Sequence, residues 1–252
     1  MLVKLPNGLL DGPDLFNFAE IEELKGKQQN YLANKDLVIG NIGHVPKILE
    51  DLIVSLQNKE GLKWKGKVEE AIWKLPSGDL ETLLIKIREK TFGPKFFHEA
   101  ICVECEHINK NLKLDLNKLK LSPLSPKDML DKESRTFILP KSKKEIELKP
   151  LLLRDLFDVI KITTEKHDEL ITSLSVLAVK RIGDKAPATK EDIEELPVTD
   201  LIYLQKRLEK VRLEGTIDTT LEATCQKCGK DFSNKLNVFD SDFFDPTKAT
   251  AS

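Results

Sequence analysis

Hydrophobic positions along this chain switch between two periods, and each switch marks an element. Leu80, Leu83 and Ile87 recur at the spacing of one helical face, which predicts a helix opening just after Leu75-Pro76. Ser77 is its candidate N-cap, Asp79 suits the positive first turn, and Gly93-Pro94 marks the end. Leu201, Leu204 and Leu208 repeat the stripe after Leu196-Pro197, with Thr199 as candidate cap and Gly215 as stop. Alternation takes over in Leu112, Leu114, Leu116 and in Phe232, Leu236, Val238. It predicts two hairpins, 96–103 with 107–116 and 216–224 with 230–239. Extended stretches are predicted over 9–24 and 136–148. Ile48, Leu52 and Leu56 predict a helix over 48–57, and 149–163 and 165–182 read as two more amphipathic helices, with Pro150 tolerated in a first turn.

These elements occur twice in the same order. Leu75-Pro76-Ser77-Gly78-Asp79-Leu80 returns as Leu196-Pro197-Val198-Thr199-Asp200-Leu201, at an offset of about 120 residues. Upstream, Ile48, Leu49, Leu52 and Gly61 answer to Leu170, Ile171, Leu174 and Gly183. Downstream, Gly93 answers to Gly215 and Cys102 to Cys225. Leu5-Pro6 and Leu139-Pro140 open the two copies. The expected fold class is therefore α+β, an internal duplication of a strand–helices–β-hairpin unit. Its first repeat covers 1–120 and its second 136–239. The intervening 121–135, with Ser122-Pro123-Leu124-Ser125-Pro126, reads as a linker. The stretch 240–252 reads as an aperiodic, frayed tail in which Phe243 and Phe244 are the candidate anchor for a partner protein.

All four cysteines fall in this scheme as Cys102/Cys105 and Cys225/Cys228, one Cys-x-x-Cys pair at the tip of each predicted hairpin. Two thiolates at that spacing can reach one cation, and four complete a tetrahedron around zinc. The two hairpins are thus expected to pair as a zinc-ribbon-like element holding one structural zinc ion. Gly229 after Cys228 permits the positive φ of a knuckle, whereas Glu106 stands there in the first copy. Two alternatives remain at this point: hairpins that hold no metal, and a site completed by His98 or His107. A thioredoxin-like redox role fits least, because that motif belongs at a helix N-terminus.

Composition narrows the remaining classes. A 252-residue chain with 40% hydrophobic and 33% charged residues can bury a sizeable core under a charged surface. Its formal net charge of −2 gives no global attraction to nucleic acid or anionic lipid. No apolar run reaches the roughly 20 residues of a membrane span, and the opening Met1-Leu2-Val3-Lys4 lacks the pattern of a signal peptide. Gly61-Leu62-Lys63-Trp64-Lys65-Gly66-Lys67 has P-loop spacing, yet Val68 replaces the magnesium-binding hydroxyl residue and a helix is expected before it. It reads as a charged loop. His44, His98, His107 and His167 are scattered, acidic residues lie in mixed-charge runs, and Trp64 and Trp73 read as core or interface anchors. No catalytic constellation is present, so the expectation is a protein that is not an enzyme and has no small-molecule substrate.

Leu5-Pro6-Asn7-Gly8, Thr91-Phe92-Gly93 and Ala100-Ile101-Cys102-Val103-Glu104-Cys105, with Cys225 and Cys228 in the second copy, carry a resemblance. In order and length the chain is similar to the zinc-knuckle baseplate proteins of contractile-tail phages, the group containing the T-even phage baseplate hub subunit. The second copy departs from the pattern with Arg212-Leu213-Glu214-Gly215 and with Lys141-Ser142 after Leu-Pro. The resemblance implies a non-enzymatic role in forming or assembling a baseplate hub. It implies other phage tail proteins as partners, in the host cytoplasm during assembly and in the virion if the protein stays there. The competing reading is a zinc-ribbon module for nucleic acid, resting on Lys110, Lys113, Lys118 and Lys120 and on Lys141, Lys143 and Lys144. Interleaved acids and few aromatics for base stacking weigh against it.

Overall fold

The computed structural model describes residues 1–33, 43–121, 135–158, 175–213, 217–239 and 241–249. The chain mixes helices and antiparallel sheets, as its two hydrophobic periods require. Strand β1 (Leu2–Asp11) turns at Gly12-Pro13 into β2 (Asp14–Ile21), and β3 (Ile53–Gln57) pairs along the far side of β2. The sequence pattern placed the first extended stretch only from Leu9. β1 is concealed because its register breaks between Lys4 and Leu9 around Pro6 and Gly8. Gly8 takes φ +89, and a Cβ there would lie 2.7 Å from the Cβ of Asn17, so only glycine fits.

Helices α1 (Gly26–Ala33) and α2 (His44–Leu52) lie between β2 and β3 in the chain. The helix expected over 48–57 stops at Leu52, and strand β3 follows with no breaker between them. Leu56 matches the helical spacing of Ile48 and Leu52, but it is buried as an inward-facing strand residue opposite Ala19. The β-branched pair Ile53-Val54 suits that choice. α3 (Val68–Ile72) and α4 (Ser77–Phe92) come next, followed by the hairpin β4 (Lys95–Ile101) and β5 (Ile108–Asp115) and the short β6 (Lys120–Leu121). On α4 the predicted stripe Leu80, Leu83 and Ile87 is fully buried, together with Leu84 and Ile85. Each such side chain contributes roughly 1.5–3 kcal/mol. Gly93 ends the helix at φ +83, its N–H donating to Glu89 O. Ser77 is the first helical residue and not the cap: Pro76 holds that place without a side-chain bond.

In the second half β7 (Thr136–Ile138), β8 (Glu145–Leu148) and β9 (Val179–Ile182) form a sheet of order β7-β8-β9. The stretch expected to be helical over 165–182 is helical at 175–178 and then becomes β9, which pairs with β8. Residues 153–158 are helical within the predicted 149–163, and 159–174 lie outside the described residues. The matches at Leu170, Ile171 and Leu174, His167, Gly215 and nearly all of the predicted linker lie outside them too. α5 (Lys190–Glu194) is closed by a capping box between Thr189 and Asp192. α6 (Val198–Leu213) leads to β10 (Ile217–Asp218) and to the hairpin β11 (Thr220–Thr224) and β12 (Asp231–Lys235). Of its stripe, Leu204 is buried, while Leu201 and Leu208 are partly buried against the second core of Phe137, Leu139, Ile146, Leu148 and Val179.

A buried carboxylate ties the long helix to the opening hairpin in both halves. Asp79, on the first turn of α4, accepts the backbone N–H of Asn7 at 2.8 Å and of Gly8 at 2.7 Å, and the Asn7 side-chain amide at 3.3 Å. Asp200, on the first turn of α6, accepts the N–H of Lys141 and of Ser142, both at 2.8 Å. In each case the two donors directly follow a Leu-Pro pair, Leu5-Pro6 or Leu139-Pro140. The turn after Leu-Pro has amides without a strand partner, and the carboxylate supplies the acceptors.

Further links join the halves. β6 pairs with β10. Pro76 and Leu152 form a bridge, with Ser77 N–H donating to Leu151 O and Leu153 N–H to Leu75 O. The first core, built on Leu5, Ile21, Ile48, Leu52 and Leu83, also takes in Leu153, Ile217, Val238, Phe243 and Phe244. Phe243 and Phe244 are each 1% exposed. They lie in the 3-10 turn Ser241–Phe244, which with a second such turn, Pro246–Ala249, folds onto this chain. Two adjacent phenylalanines bury more apolar surface here than a polar, aperiodic segment can leave in water. Among the described residues no helix is long and apolar enough to cross a membrane.

Candidate metal centre

Both predicted hairpins end in the same tight turn. In the first, Cys102 N–H donates to His107 O and Glu106 N–H to Cys102 O; in the second, Cys225 N–H donates to Lys230 O and Gly229 N–H to Cys225 O. The turn needs a left-handed residue, which is Gly229 at φ +71 in one tip and Glu106 at φ +56 in the other. A side chain in that region carries strain that glycine lacks. Glu106→Gly is therefore expected to raise stability by about 0.5–1 kcal/mol, and Gly229→Ala to lower it by a similar amount. Paired urea melts would read both, and equal stability of all three proteins would refute the assignment.

The two tips meet. Cys102 Sγ lies 3.8 Å from Cys228 Sγ, and Cys105 Sγ lies 3.6 Å from Cys225 Sγ. All four sulfurs fall within 4.8 Å of one another, and no histidine is in the group. Zn–S bonds of about 2.3 Å in a tetrahedron place sulfurs about 3.8 Å apart, so the donor set fits a thiophilic ion. The four cysteines could bind a metal ion. Cys102 and Cys225 are buried, Cys105 is half-buried and Cys228 is exposed. Ala100, Cys102, Cys225 and Phe232 form a small core of their own under the cluster.

Electrostatics separates the thiols. The backbone N–H groups of Cys228 and Lys227 point at Cys225 and outweigh burial, holding its thiol down at about 6. At Cys105 the pull of the His107 backbone is overcome by burial and by the three neighbouring sulfurs, which push it up to about 12. One sulfur is thus ready to ionise and another resists adding a second negative charge beside it. A divalent cation removes that conflict by neutralising all four.

Polar contacts that sequence reasoning missed hold the tips in place. Gln226 N–H donates to Asn109 Oδ1 at 2.7 Å; the Gln226 amide donates to Lys110 O at 2.9 Å and accepts from Lys110 N–H at 3.3 Å. Lys230 pairs with Glu104 at 2.6 Å across the same junction. Gln226 imitates a strand partner for β5, but nothing in a lone Gln between two cysteines signals this in the sequence. The two histidines of the alternative mixed site stand apart: His98 is stacked on Phe96 at 5.9 Å, and His107 meets the knuckle through its backbone.

Neither the curated proteins nor the solved structures contain a match to this chain. A family model does match. It is described as T4 bacteriophage base plate protein and covers residues 32–245, most of the chain and both cysteine pairs.

Proposed function

The chain belongs to the T4 bacteriophage base plate protein family, and from that premise we propose that it is a non-enzymatic structural or assembly component of a phage baseplate hub. It works through contacts with other tail proteins, in the host cytoplasm during assembly and in the tail of the particle. Its two hairpins are a zinc-ribbon-like clasp in which Cys102, Cys105, Cys225 and Cys228 hold one structural zinc ion.

The observation that carries the clasp is the meeting of four sulfurs from two hairpins. The chain is read further as two related units, 1–120 and 136–239. Support comes from the matching sheet orders β1-β2-β3 and β7-β8-β9, the paired carboxylate-to-turn contacts of Asp79 and Asp200, and the equivalent knuckles. Within the stretch 240–252, read as a tail, Phe243 and Phe244 pack into the first unit's core. Zinc bound there acts by fixing the junction of the units, which suits a protein whose task is to present a constant surface.

Affinity purification of the tagged chain from infected cells, in parallel with Cys102→Ser, tests the role. Baseplate proteins are expected to copurify with the unaltered chain and to be depleted at least several-fold with the variant. Salt-sensitive retention on DNA or RNA with no tail protein recovered would instead favour the nucleic-acid module.

A further inference from the structure

Arg88 is the anomaly of the fold. Its side chain is 0% exposed, yet none of its three guanidinium nitrogens has a hydrogen-bond partner. Around it stand the rings of Phe96, Phe92 and Phe243, at 4.7, 5.3 and 5.5 Å from the guanidinium carbon. Ring faces attract a cation but do not replace five N–H donors lost from water. Phe243 arrives on the 241–249 segment, so that segment is the cover. The Asp245 carboxylate of the cover gives Arg88 no hydrogen bond: it accepts from Thr247 N–H at 2.8 Å and Thr247 Oγ1 at 2.7 Å. Asp245 N–H and Lys248 N–H also bond within the segment, to Asp242 O and Asp245 O. Burial lowers the guanidinium pKa to about 10, and the Asp245 charge opposes that fall without a hydrogen bond to Arg88. Arg88 therefore stays a cation at neutral pH.

We propose that the 241–249 segment is a displaceable cover and that Arg88, with Phe92 and Phe96, receives a carboxylate-bearing aromatic segment of a partner protein. The chemistry of the occupant follows from what the cover leaves unmet. An aromatic ring replaces Phe243 against Phe96, and a carboxylate beside it gives the guanidinium the paired hydrogen bonds it lacks. The competing segment gains charge-assisted bonds that the chain's own cover does not make. The partner's being a tail protein rests on the baseplate reading, whereas the cover and the receptor do not.

The test uses the full chain with Phe243→Leu, which keeps the core filled but removes the ring over Arg88, and the capped peptides Ac-Glu-Phe-Glu-Phe-NH2 and Ac-Gln-Phe-Gln-Phe-NH2. This variant is expected to bind the acidic peptide at least ten-fold tighter than the amide peptide. It should also bind it more tightly than the unaltered chain does. Adding Arg88→Met should abolish the acid preference while the protein still melts cooperatively. If Arg88→Met unfolds the chain, Arg88→Lys, which keeps the charge but not the bidentate fork, should cut the preference several-fold. Equal affinity for the two peptides, or an acid preference that survives loss of Arg88, would overturn the proposal. An acid preference in a chain that fails to copurify with tail proteins would leave the receptor standing and remove the baseplate assignment.

Discussion

Stripping the protein with a strong zinc chelator is expected to lower its melting temperature by more than about 10 °C, since structural zinc is linked to folding by several kcal/mol and each kcal/mol moves a chain of this size by roughly 2–4 °C. The sulfurs come from tips far apart in sequence, so an ion shared by them would close a long loop that the unfolded chain leaves open. Loss is expected to be partial and not total, because Gln226, Asn109 and the Glu104–Lys230 pair still join the tips. Single Cys→Ser variants should melt low and no longer respond to chelator. Cys102→Ser and Cys225→Ser should fall furthest, as both sulfurs are buried, with Cys228→Ser the mildest. Elemental analysis should find one zinc per chain in the unaltered protein and much less in each variant. A preparation free of metal whose melting ignores chelator would end the clasp hypothesis.

Loss of the Asp79 carboxylate is the second large expected effect. Asp79→Ala strands the N–H groups of Asn7 and Gly8 in a buried turn, and unsatisfied buried donors cost about 1–3 kcal/mol each. A drop of about 3–5 kcal/mol is expected, well beyond that of an exposed substitution. Asp79 also gives stability a pH dependence. Burial, working against the Asn7 and Gly8 donors, raises its pKa from 3.8 to about 7 in the folded chain. Between those values the folded state holds a proton that the unfolded state has released. This group's contribution therefore falls as pH rises from about 4 to 7, by on the order of 4 kcal/mol, and is level outside that window. Asp200 acts in the opposite direction. Burial opposes its charge, but the Lys141 and Ser142 donors prevail and hold its pKa below the usual value. Its stabilisation is present above the ordinary carboxylate range and is lost as pH falls through its lowered pKa. Urea melts of the unaltered chain and Asp79→Asn across pH 4–8 separate the two. Parallel stability curves would refute the assignment to Asp79.

Much of this was legible in the residues. The knuckles announce themselves because Cys-x-x-Cys is rare and its chemistry is narrow, and α4 because Leu80, Leu83, Ile87 and Gly93 agree on one element. What stayed hidden depends on partners distant in the chain. Asp79 in a first helical turn looks like an ordinary complement to the helix dipole, and only the folded hairpin shows that it serves Asn7 and Gly8. Ile53 and Val179 follow helices without a breaker, so the spacing of their apolar neighbours favours helix until a sheet claims them. Arg88 is one basic residue among several in Lys86-Ile87-Arg88-Glu89-Lys90, and nothing around Phe243-Phe244 signals that both rings join the first core. Local signals report local structure, and each error concerns a residue whose environment is made elsewhere.

The contacts of the two aspartates also set an order on the ribosome. The opening hairpin cannot settle its Leu-Pro turn until residue 79 has emerged, and the second hairpin waits likewise for residue 200. The thiols of the first tip then stay without their counterparts until residue 228 appears, and Arg88 stays open to water until Phe243 follows it. A nascent chain thus carries two unpaired thiols from residue 105 to residue 225 and an uncovered cation from residue 88 to residue 243. Both closures draw on residues of the second half, so the first half standing alone completes neither its core nor its knuckle.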